Sequence, residues 1–323
     1  MGLLNILPEV KERKGWPWTE ESSLKELNSY PKISIVTPSF NQGIFIEETI
    51  RSILLQNYPN LEFIVIDGGS TDQTVELLEK YTEWITYWVS ERDSGQPEAI
   101  NKGIAKCTGI IFNWINSDDY LPPGALFRIA EEYLNPQIDL LAGAVKNFNS
   151  KGETSIDINK NLDPVKMILK SRDMVFHQPG VWYKTELLRQ AGLIASNFHY
   201  CFDWHLVIRY LITFPNVKYT EDVLVNFRLH DASKTVSVPI RFQEDNIAIA
   251  RELKELPYFG NIKSELDLYV NRKEWYVWLI KLQSTEVGKF TKISRVILAS
   301  VQDIPNRWSR YTLGAIKQII LHD

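Results

Sequence analysis

Two adjacent carboxylates are the feature of this sequence that most directly indicates chemistry. Asp118 and Asp119 follow the apolar run 110–115, and no basic residue stands beside them to balance their charge. A hard divalent cation, shared with a diphosphate, would bind them and neutralise a departing nucleotide. The pair could instead cap a helix near Pro122-Pro123, since the helix dipole favours acidic residues there. Both interpretations of the pair stay open from these residues alone.

A third carboxylate, Asp67, ends another apolar run, 63–66, and two glycines follow it. Gly68-Gly69 would let a ligand approach the backbone closely, and a buried carboxylate there could accept a hydrogen bond from a base N–H or a ribose hydroxyl. A tight turn is the competing interpretation, because Asp-Gly is a common turn sequence. The sequence contains no Walker-type phosphate loop and no dinucleotide fingerprint, which disfavours kinases and dehydrogenases.

The elements that must position these carboxylates alternate between strand and helix. The strands are apolar, and the helices carry apolar residues at spacings of three and four, such as Ile46, Ile50 and Ile53. This alternation predicts an α/β fold with a mostly parallel sheet covered by helices on both faces. Ligands of such sheets bind beyond the carboxyl ends of the strands, where the polar clusters fall. The predicted strands are 33–36, 63–66, 84–89 and 110–115, and the clusters are 37–39, 67–70 and 116–119.

The pattern divides the chain into three parts. A polar lead-in covers residues 1–31, and the α/β domain covers residues 32–238. Within that domain, the strand–helix alternation to about residue 120 predicts the nucleotide half. The looser pattern from there to residue 238 predicts the acceptor half. Residues 239–323 are predicted to form a helical C-terminal region.

Composition indicates an ordinary globular protein and excludes several kinds of partner. Its 323 residues are 44% hydrophobic and 24% charged, which suffices for a substantial core. A formal net charge of −4 disfavours general nucleic-acid binding, which needs a basic footprint. Two cysteines without paired spacing, the lack of a secretory h-region and the lack of an apolar run of ~20 residues predict a cytoplasmic protein that does not cross a bilayer.

The C-terminal region differs from the rest in charge. Residues 271–323 contain nine basic and four acidic side chains, whereas the preceding part is acidic. One predicted helical face comprises Ile293, Val296, Ile297, Val301 and Ile304, and the cations nearby are Lys289, Lys292 and Arg295. Two interpretations stay open: helices that pack on the α/β body, or a basic amphipathic region resting on the anionic inner face of the cell membrane.

Five motifs follow one another in a recognisable order between residues 32 and 234. They are Ile35–Asn41, Gln56–Glu62, Asp67–Asp72, Gly95-Gln96 with Ala99–Gly103, and Asn116–Asp119. Together they resemble family 2 glycosyltransferases. The resemblance implies a GT-A fold, a UDP-, dTDP- or GDP-sugar donor, a Mg or Mn ion, and usually inversion at the anomeric carbon. It also implies a saccharide or lipid-linked acceptor, in polysaccharide or glycoconjugate biosynthesis of the cell envelope.

The resemblance also implies roles for residues at the strand ends, and two positions depart from the family pattern. Gly68 stands where many relatives carry a second aspartate, and Asn116 stands where many carry a first one. An amide cannot replace a carboxylate's charge, so Asn116 is expected to bind ribose or a metal-bound water. The matched residues are Thr37, Pro38 and Ser39 at the nucleoside, Asp67 at the base, Asp93 beside the nucleotide, and Asp118 and Asp119 at the metal and diphosphate.

Downstream, Tyr200–Leu206 resembles the family segment that delivers the catalytic base. Inverting transfer needs a base that takes the proton of the acceptor hydroxyl as its oxygen attacks. Asp203 is the expected base; it could also cap the following helix, and one aspartate can do both. Trp204 is expected on the acceptor side, as are Gln178 and Trp182 upstream.

A late segment, Phe227–His230, resembles the part of the family that returns to the donor site. His230 is expected to coordinate the metal or contact the diphosphate. Arg228 or Lys234 would balance phosphate charge. A structural, hydrogen-bonded histidine is the competing interpretation of His230.

Two other functions compete with glycosyl transfer. A nucleotidyltransferase also uses paired carboxylates and metal, but it would need a basic glycine-rich loop, and residues 39–43 contain no Lys or Arg. A non-catalytic sugar- or nucleotide-binding scaffold is the other, and the presence of Asp203 with Asp118 and Asp119 disfavours it.

Overall fold

A parallel half-sheet carries the predicted polar clusters in the computed structural model, which describes residues 2–230, 239–303, 306 and 309–322. Its strands are β1 (Ile33–Ser39), β2 (Leu61–Asp67), β3 (Tyr87–Ser90) and β4 (Ile111–Trp114). β1 pairs in parallel with β2 and β4, and β2 pairs in parallel with β3. Since β1 and β4 are buried throughout, they suit a sheet covered on both faces.

Three helices connect these strands, as the sequence pattern predicts. They are α1 (Ile46–Leu54), α2 (Thr74–Lys80) and α3 (Gln96–Lys106). In α1 the side chains of Ile46, Ile50 and Ile53 are fully buried, as their helical spacing requires. The predicted third strand is corrected at its start: Trp84 lies before β3, and its amide donates to the carbonyl of Tyr81 in a turn that follows α2.

The second half of the sheet is largely antiparallel. It contains β5 (Leu140–Asn149), β6 (Gly152–Ile158), β7 (Val181–Lys184) and β8 (Val217–Arg228). Among the described residues the strands form one sheet in the order β3-β2-β1-β4-β7-β5-β6, with β8 paired to β5. The short turn at Ser150-Lys151 joins β5 to β6, and only antiparallel strands can be joined so closely. The sheet is therefore mixed, and the prediction of parallel pairing holds mainly for β1 to β4.

β7 joins the two halves, because it pairs antiparallel with both β4 and β5. β8 runs parallel to β5, but two irregularities interrupt their register between Ala142 and Val145. The helices of this half are α4 (Ala125–Glu132), α5 (Pro164–Ile168), α6 (Thr185–Ala191) and α7 (Phe202–Thr213). One hydrophobic core extends from α1 and β1 to α4 and Trp182 of β7, so the two halves fold as one body.

The lead-in segment is held to this body by a buried arginine. The guanidinium of Arg51 on α1 donates to the carbonyl oxygens of Pro8, Pro17 and Trp18 and to the hydroxyl of Tyr81. Each of these bonds is charge-assisted, which makes it stronger than a bond between neutral groups.

The chain divides into two compact units, Met1–Ser233 and Lys234–Asp323. The second contains α8 (Pro239–Leu253), α9 (Lys263–Gln283), α10 (Lys289–Gln302) and α11 (Arg310–His322). Trp275 and Leu279 of α9 pack with Val296 of α10 and Ile319 of α11. Within the described ranges, no helix is both long and apolar enough to cross a bilayer. Lys234 and Ile304, named above for phosphate binding and for the apolar face, lie outside the described residues.

We expect Gly103→Ala to destabilise the α/β body. A Cβ at Gly103 of α3 would lie 2.4 Å from Cγ1 of Val36 on β1, so helix and strand would have to separate. Such overpacking typically lowers the free energy of unfolding by about 1–3 kcal/mol, which urea unfolding followed by circular dichroism would detect.

Gly314→Ala is the matched control for this substitution. Gly314 lies in α11 with open space where its Cβ would be, so the variant should be neutral or slightly more stable than the parent chain. An unchanged urea midpoint for Gly103→Ala would contradict close packing of α3 on β1.

Candidate donor and acceptor site

The carboxyl ends of three strands meet at one edge of the sheet. Ser39 at the end of β1 lies opposite Asp67 at the end of β2. Beyond β4, the amide of Ile115 donates to the carbonyl of Val36 on β1, so the segment 116–119 continues at the same edge. The three polar clusters therefore lie side by side, as the strand pattern predicts.

Asp67 is the fixed point of the loop after β2. Its fully buried carboxylate accepts hydrogen bonds from the amides of Gly69 and Ser70 and from the hydroxyls of Ser70 and Ser90. This side chain holds the loop together and has no surface accessible to a ligand in this arrangement. These bonds give Asp67 a positioning role in the loop, and its expected contact with a base stays a prediction.

Two hydroxyl groups at the end of β1 have hydrogen-bonding capacity that the described part of the protein does not use. The side chains of Thr37 and Ser39 are buried, and neither hydroxyl has a hydrogen-bond partner among the described residues. Buried polar groups are rarely left unsatisfied, and such exceptions concentrate at functional sites. Pro38 lies between them and donates no amide hydrogen bond, which leaves the strand end without one ladder donor.

The carboxylate of Asp93 lies close to the backbone of Gly68. A Cβ at Gly68 would lie 3.1 Å from Oδ2 of Asp93, so the Asp93 carboxylate occupies the space beside this backbone. Burial raises the pKa of Asp93, and the charges of Glu98 and Asp67 add to the rise, while the amide of Gly95 opposes it. A side chain at residue 68 would therefore require this half-buried carboxylate to move by a few tenths of an ångström.

At the end of β4 the structure brings together one aspartate and one histidine. Nε2 of His230 lies 2.9 Å from Oδ2 of Asp118, and the two side chains are 18% and 19% exposed. The ring of Phe45 packs against the His230 imidazole, with 5.0 Å between the ring centroids. Residues separated by more than a hundred positions therefore present a carboxylate oxygen and an imidazole nitrogen at one accessible point.

Asp119 faces the interior instead. Its Oδ1 accepts the backbone amide of Arg228, and its Oδ2 accepts the Asn116 side-chain amide. Burial and the neighbouring Asp118 charge raise the pKa of Asp119 well above its ordinary value. Both oxygens of Asp119 are thus bonded within the protein, and its expected metal-binding role stays a prediction. Within the described residues, no group of three or more His, Cys, Asp or Glu side chains could hold an ion by itself.

Asn116 and Arg228 are also engaged. The Asn116 oxygen accepts from Gln96, which completes a chain from α3 to Asp119. Arg228 donates to the backbone oxygen of Asp118 and to Glu48, 2.5 Å away, so it is an anchor rather than a free cation. Its charge is thus shared with Glu48, and the expected role of Arg228 in balancing phosphate charge stays a prediction.

Two residues of α1 support this edge, and the sequence analysis missed both of them. Glu48 pairs with Arg228, and the Thr49 hydroxyl lies within hydrogen-bonding distance of the carbonyl oxygens of Ser117 and Asp119. The sequence does place two polar residues directly before the buried position Ile50. Helical spacing alone, however, cannot show which distant groups their side chains contact.

Asp203 lies in the first turn of α7 and not at its cap, since α7 begins at Phe202. Burial raises the pKa of the Asp203 carboxyl to about 6, although the Trp204 amide and the charge of Lys170 oppose the rise. The ring of Phe202 packs on Trp114 of β4, with 6.1 Å between centroids. The start of α7 is thereby held against the end of the strand that precedes Asp118.

Trp204 forms a half-buried wall beside Asp203. Its ring contacts Phe176 edge to face, and Nζ of Lys170 lies 4.2 Å from its centroid. This mixed aromatic and cationic surface agrees with an acceptor-side position for Trp204. That assignment stays a proposal.

Gln178 and Trp182 serve the scaffold. The Gln178 amide donates to Oδ1 of Asn113 and to the carbonyl of Trp114, so it ties its loop to β4. Trp182 is fully buried in the core. The expectation that Trp182 stacks on a sugar is therefore wrong, because the ring offers no exposed face.

The profile of glycosyl transferase family 2 matches residues 34–201, which include every strand end of this site except that of β8. The chain belongs to glycosyl transferase family 2. It resembles an uncharacterized glycosyltransferase of Rickettsia typhi, with 27% identity over 71% of this chain and 74% of that protein. It also resembles the poly(ribitol-phosphate) beta-N-acetylglucosaminyltransferase TarS of Staphylococcus aureus, with 31% identity over 49% of this chain and 28% of TarS.

Solved structures show that this glycosyltransferase has the GT-A fold. TarS residues 1–349 in complex with UDP-GlcNAc match 89% of this chain and 90% of that one, with a TM-score of 0.61 and 16% identity. A mannosyltransferase of Pyrobaculum calidifontis in complex with GDP-Man and Mn2+ matches 91% of this chain and 88% of that one, with a TM-score of 0.56 and 16% identity. The predicted family and fold are confirmed.

The different surroundings of Asp118 and Asp119 predict different costs of replacement. Asp119→Ala would leave the Arg228 amide and the Asn116 side chain without their acceptor, and should lower the free energy of unfolding by about 2–4 kcal/mol. Asp118→Ala removes a partly exposed carboxylate and should cost less than about 1 kcal/mol. Urea unfolding of both variants measures the difference.

Asp222→Ala, on the exposed part of β8, is the control for loss of an aspartate. Equal losses of stability for Asp118→Ala and Asp119→Ala would contradict the division of roles between the two carboxylates.

Proposed function

We propose that this glycosyltransferase moves a sugar from a nucleotide diphosphate donor to a hydroxyl of a saccharide or lipid-linked acceptor, with inversion at the anomeric carbon. The observation that carries the proposal is the convergence at β4. Asp118 and His230 lie just beyond its end, and Phe202 holds the turn containing Asp203 against Trp114. A site for phosphate charge and a base for a hydroxyl thus lie at the same edge of the sheet.

The nucleoside would bind at the end of β1. The unpartnered hydroxyls of Thr37 and Ser39 can donate to or accept from a base or ribose, and the Asp67 loop forms the neighbouring wall. Asp93 lies beside that loop at Gly68, where a half-buried carboxylate can accept from a ribose or base donor. The family's UDP-, dTDP- and GDP-sugars are the candidate donors.

The residues at the end of β4 fit a divalent cation such as Mg or Mn. The Asp118 carboxylate oxygen and the His230 imidazole nitrogen are both accessible and 2.9 Å apart, and the donor's phosphate oxygens would supply further ligands. Bound there, the cation would neutralise the charge of the departing nucleoside diphosphate. Asp119 contributes by fixing the backbone of Arg228, two residues before His230.

Asp203 would act as the base in a single displacement. The acceptor oxygen attacks the anomeric carbon from the face opposite the diphosphate, and its proton passes to the Asp203 carboxylate. The bond from the anomeric carbon to the diphosphate oxygen breaks, and the nucleoside diphosphate leaves with that electron pair. A base with a pKa of about 6 is largely ionised at neutral pH and holds a proton better than an ordinary aspartate does.

Donor binding is testable by thermal shift with UDP, GDP, dTDP and CMP, each with and without Mn. One nucleoside diphosphate should raise the melting temperature by on the order of 5 °C at saturating concentration, and the rise should require metal. His230→Ala and Asp118→Ala should each lose the metal-dependent part of the rise, because each removes one of the two proposed ligands.

Asp222→Ala should keep the full shift, because that residue is exposed and contributes to neither proposed site. If no nucleotide stabilises the parent chain even with metal, the donor site is wrong and a binding scaffold becomes the better proposal.

The raised pKa of Asp203 predicts a pH-dependent rate. The rate of transfer should rise with pH through about 6 as the carboxylate ionises, and Asp203→Asn should lower kcat by ~100-fold or more while leaving nucleotide binding intact. A pH–rate profile of the parent chain, with nucleotide titrations of the variant, measures both effects.

Stability provides an independent test of the same group. Because the pKa of Asp203 is raised in the folded state, ionised Asp203 destabilises the fold. The free energy of unfolding should therefore fall as the pH rises from 3.8, the ordinary pKa of an aspartate, to about 6, the pKa in the folded protein. Asp203→Asn should abolish that fall and be the more stable protein at pH ~7, by on the order of 3 kcal/mol at most. A variant that is less stable at neutral pH and equally active would contradict the assignment.

A further inference from the structure

The last two helices of the C-terminal unit expose large apolar side chains. They account for seven of the twenty-one exposed large hydrophobic residues in the described part of the chain, although together they form only a small share of it. The most exposed is Phe290, at 82%. The seven are Phe290, Ile297, Leu298 and Val301 on α10, and Leu313, Ile320 and Leu321 on α11.

These side chains lie on the helix faces that point away from the unit's own core. On α10 the core face is marked by buried Val296, whereas Phe290 and Ile297 are seven residues apart and share another face. On α11 the core face is marked by Ala315 and Ile319, and Leu313 and Ile320 repeat the same spacing on the outside. The exposed residues therefore form a stripe on each helix, which we call the outer stripes.

Positive charge accompanies the outer stripes without acidic partners. Neither α10 nor α11 contains an aspartate or a glutamate. Lys289 and Arg295 of α10 and Lys317 of α11 are exposed, and none of them forms an ion pair among the described residues. Arg310 of α11 donates to the hydroxyl of Tyr311 and lies over its ring, and it forms no ion pair within the part of the chain that the structure describes.

The other two helices of the unit are different, because their charges are balanced. Arg251 of α8 pairs with Glu274 of α9, and Lys281 of α9 pairs with Glu244 of α8. Unbalanced positive charge is thus confined to the helices that also carry the outer stripes.

We infer that α10 and α11 bind the surface of an anionic lipid bilayer through the outer stripes. Apolar side chains would enter the boundary between headgroups and acyl chains, and the cations would meet lipid phosphates. A second copy of this chain fits less well, because two such faces would bring like charges together with no carboxylate between them. Helices of 14 and 13 residues are long enough to lie on a bilayer but too short to span one.

Vesicle flotation with the full chain tests this inference. The chain should float with vesicles of phosphatidylcholine containing about 30% phosphatidylglycerol and remain unbound with phosphatidylcholine alone. Raising the salt from ~0.1 M to ~0.5 M should weaken binding, since screening shortens the range of attraction.

Two pairs of substitutions separate the apolar and charged contributions. Phe290→Ser with Leu298→Ser should abolish flotation. Arg295→Gln with Lys317→Gln should lower the partition coefficient about fivefold for each cation removed. All four positions are exposed, so the variants should fold, and circular dichroism verifies this.

The matched control is Leu24→Ser with Ile110→Ser, two exposed apolar residues of the α/β unit at 62% and 58% exposure. It should float like the parent chain. Absence of binding to anionic vesicles, or an equal loss in the control, overturns the inference. A dimer in analytical ultracentrifugation that Phe290→Ser with Leu298→Ser converts to monomer would assign the outer stripes to a second copy instead.

Discussion

The buried carboxylate of Asp119 is the contact on which the site depends. It joins the end of β4 to the end of β8 through the Arg228 amide, and Arg228 in turn donates to the Asp118 backbone. Together with the bridge between Tyr120 and Asn226 and the packing of Phe45, that connection places His230, far along the chain, beside Asp118. Burial raises the pKa of this carboxyl well above its ordinary value, and each of its oxygens has a donor within the protein. Through Arg228, these bonds also fix the backbone of the accessible neighbour, Asp118.

The site thus uses buried aspartates in two ways. Asp67 and Asp119 are saturated by protein donors and act as fixed points for the loops that surround a ligand. Asp118 and Asp203 keep bonding capacity. Burial raises the pKa of Asp203, which means that its surroundings disfavour the charged form. Raised pKa values of this kind cluster at functional sites, which supports Asp203 as the proposed base.

The sequence predicts the strand ends well but not the directions of the side chains. Periodicity and turn residues locate β1, β2 and β4, so Ser39, Asp67 and Asp118 are found at one edge without any structure. Whether a carboxylate faces a ligand or the protein depends on tertiary donors, such as Ser90 for Asp67, and on the packing of distant segments. Trp182 illustrates the same limit, since a tryptophan in a strand fits a sugar platform and a core equally well until its neighbours are known.

The irregular pairing of β8 with β5 affects where the end of β8 lies. Ala142 of β5 pairs with Tyr219 of β8, and Ala144 pairs with Val223. β8 therefore has more residues between these two pairs than β5 has, and the extra residues bulge out of the ladder. Beyond the bulge, the pairs from Val145 with Val225 to Phe148 with Arg228 restore the ladder, and His230 follows two residues after its end. The place of the proposed ion site thus depends on the register of β8 as well as on the residues that would bind the ion. A residue inserted beyond the bulge, between Val225 and Arg228, would shift this ladder by one position and carry the imidazole of His230 away from Asp118 while leaving both side chains unchanged.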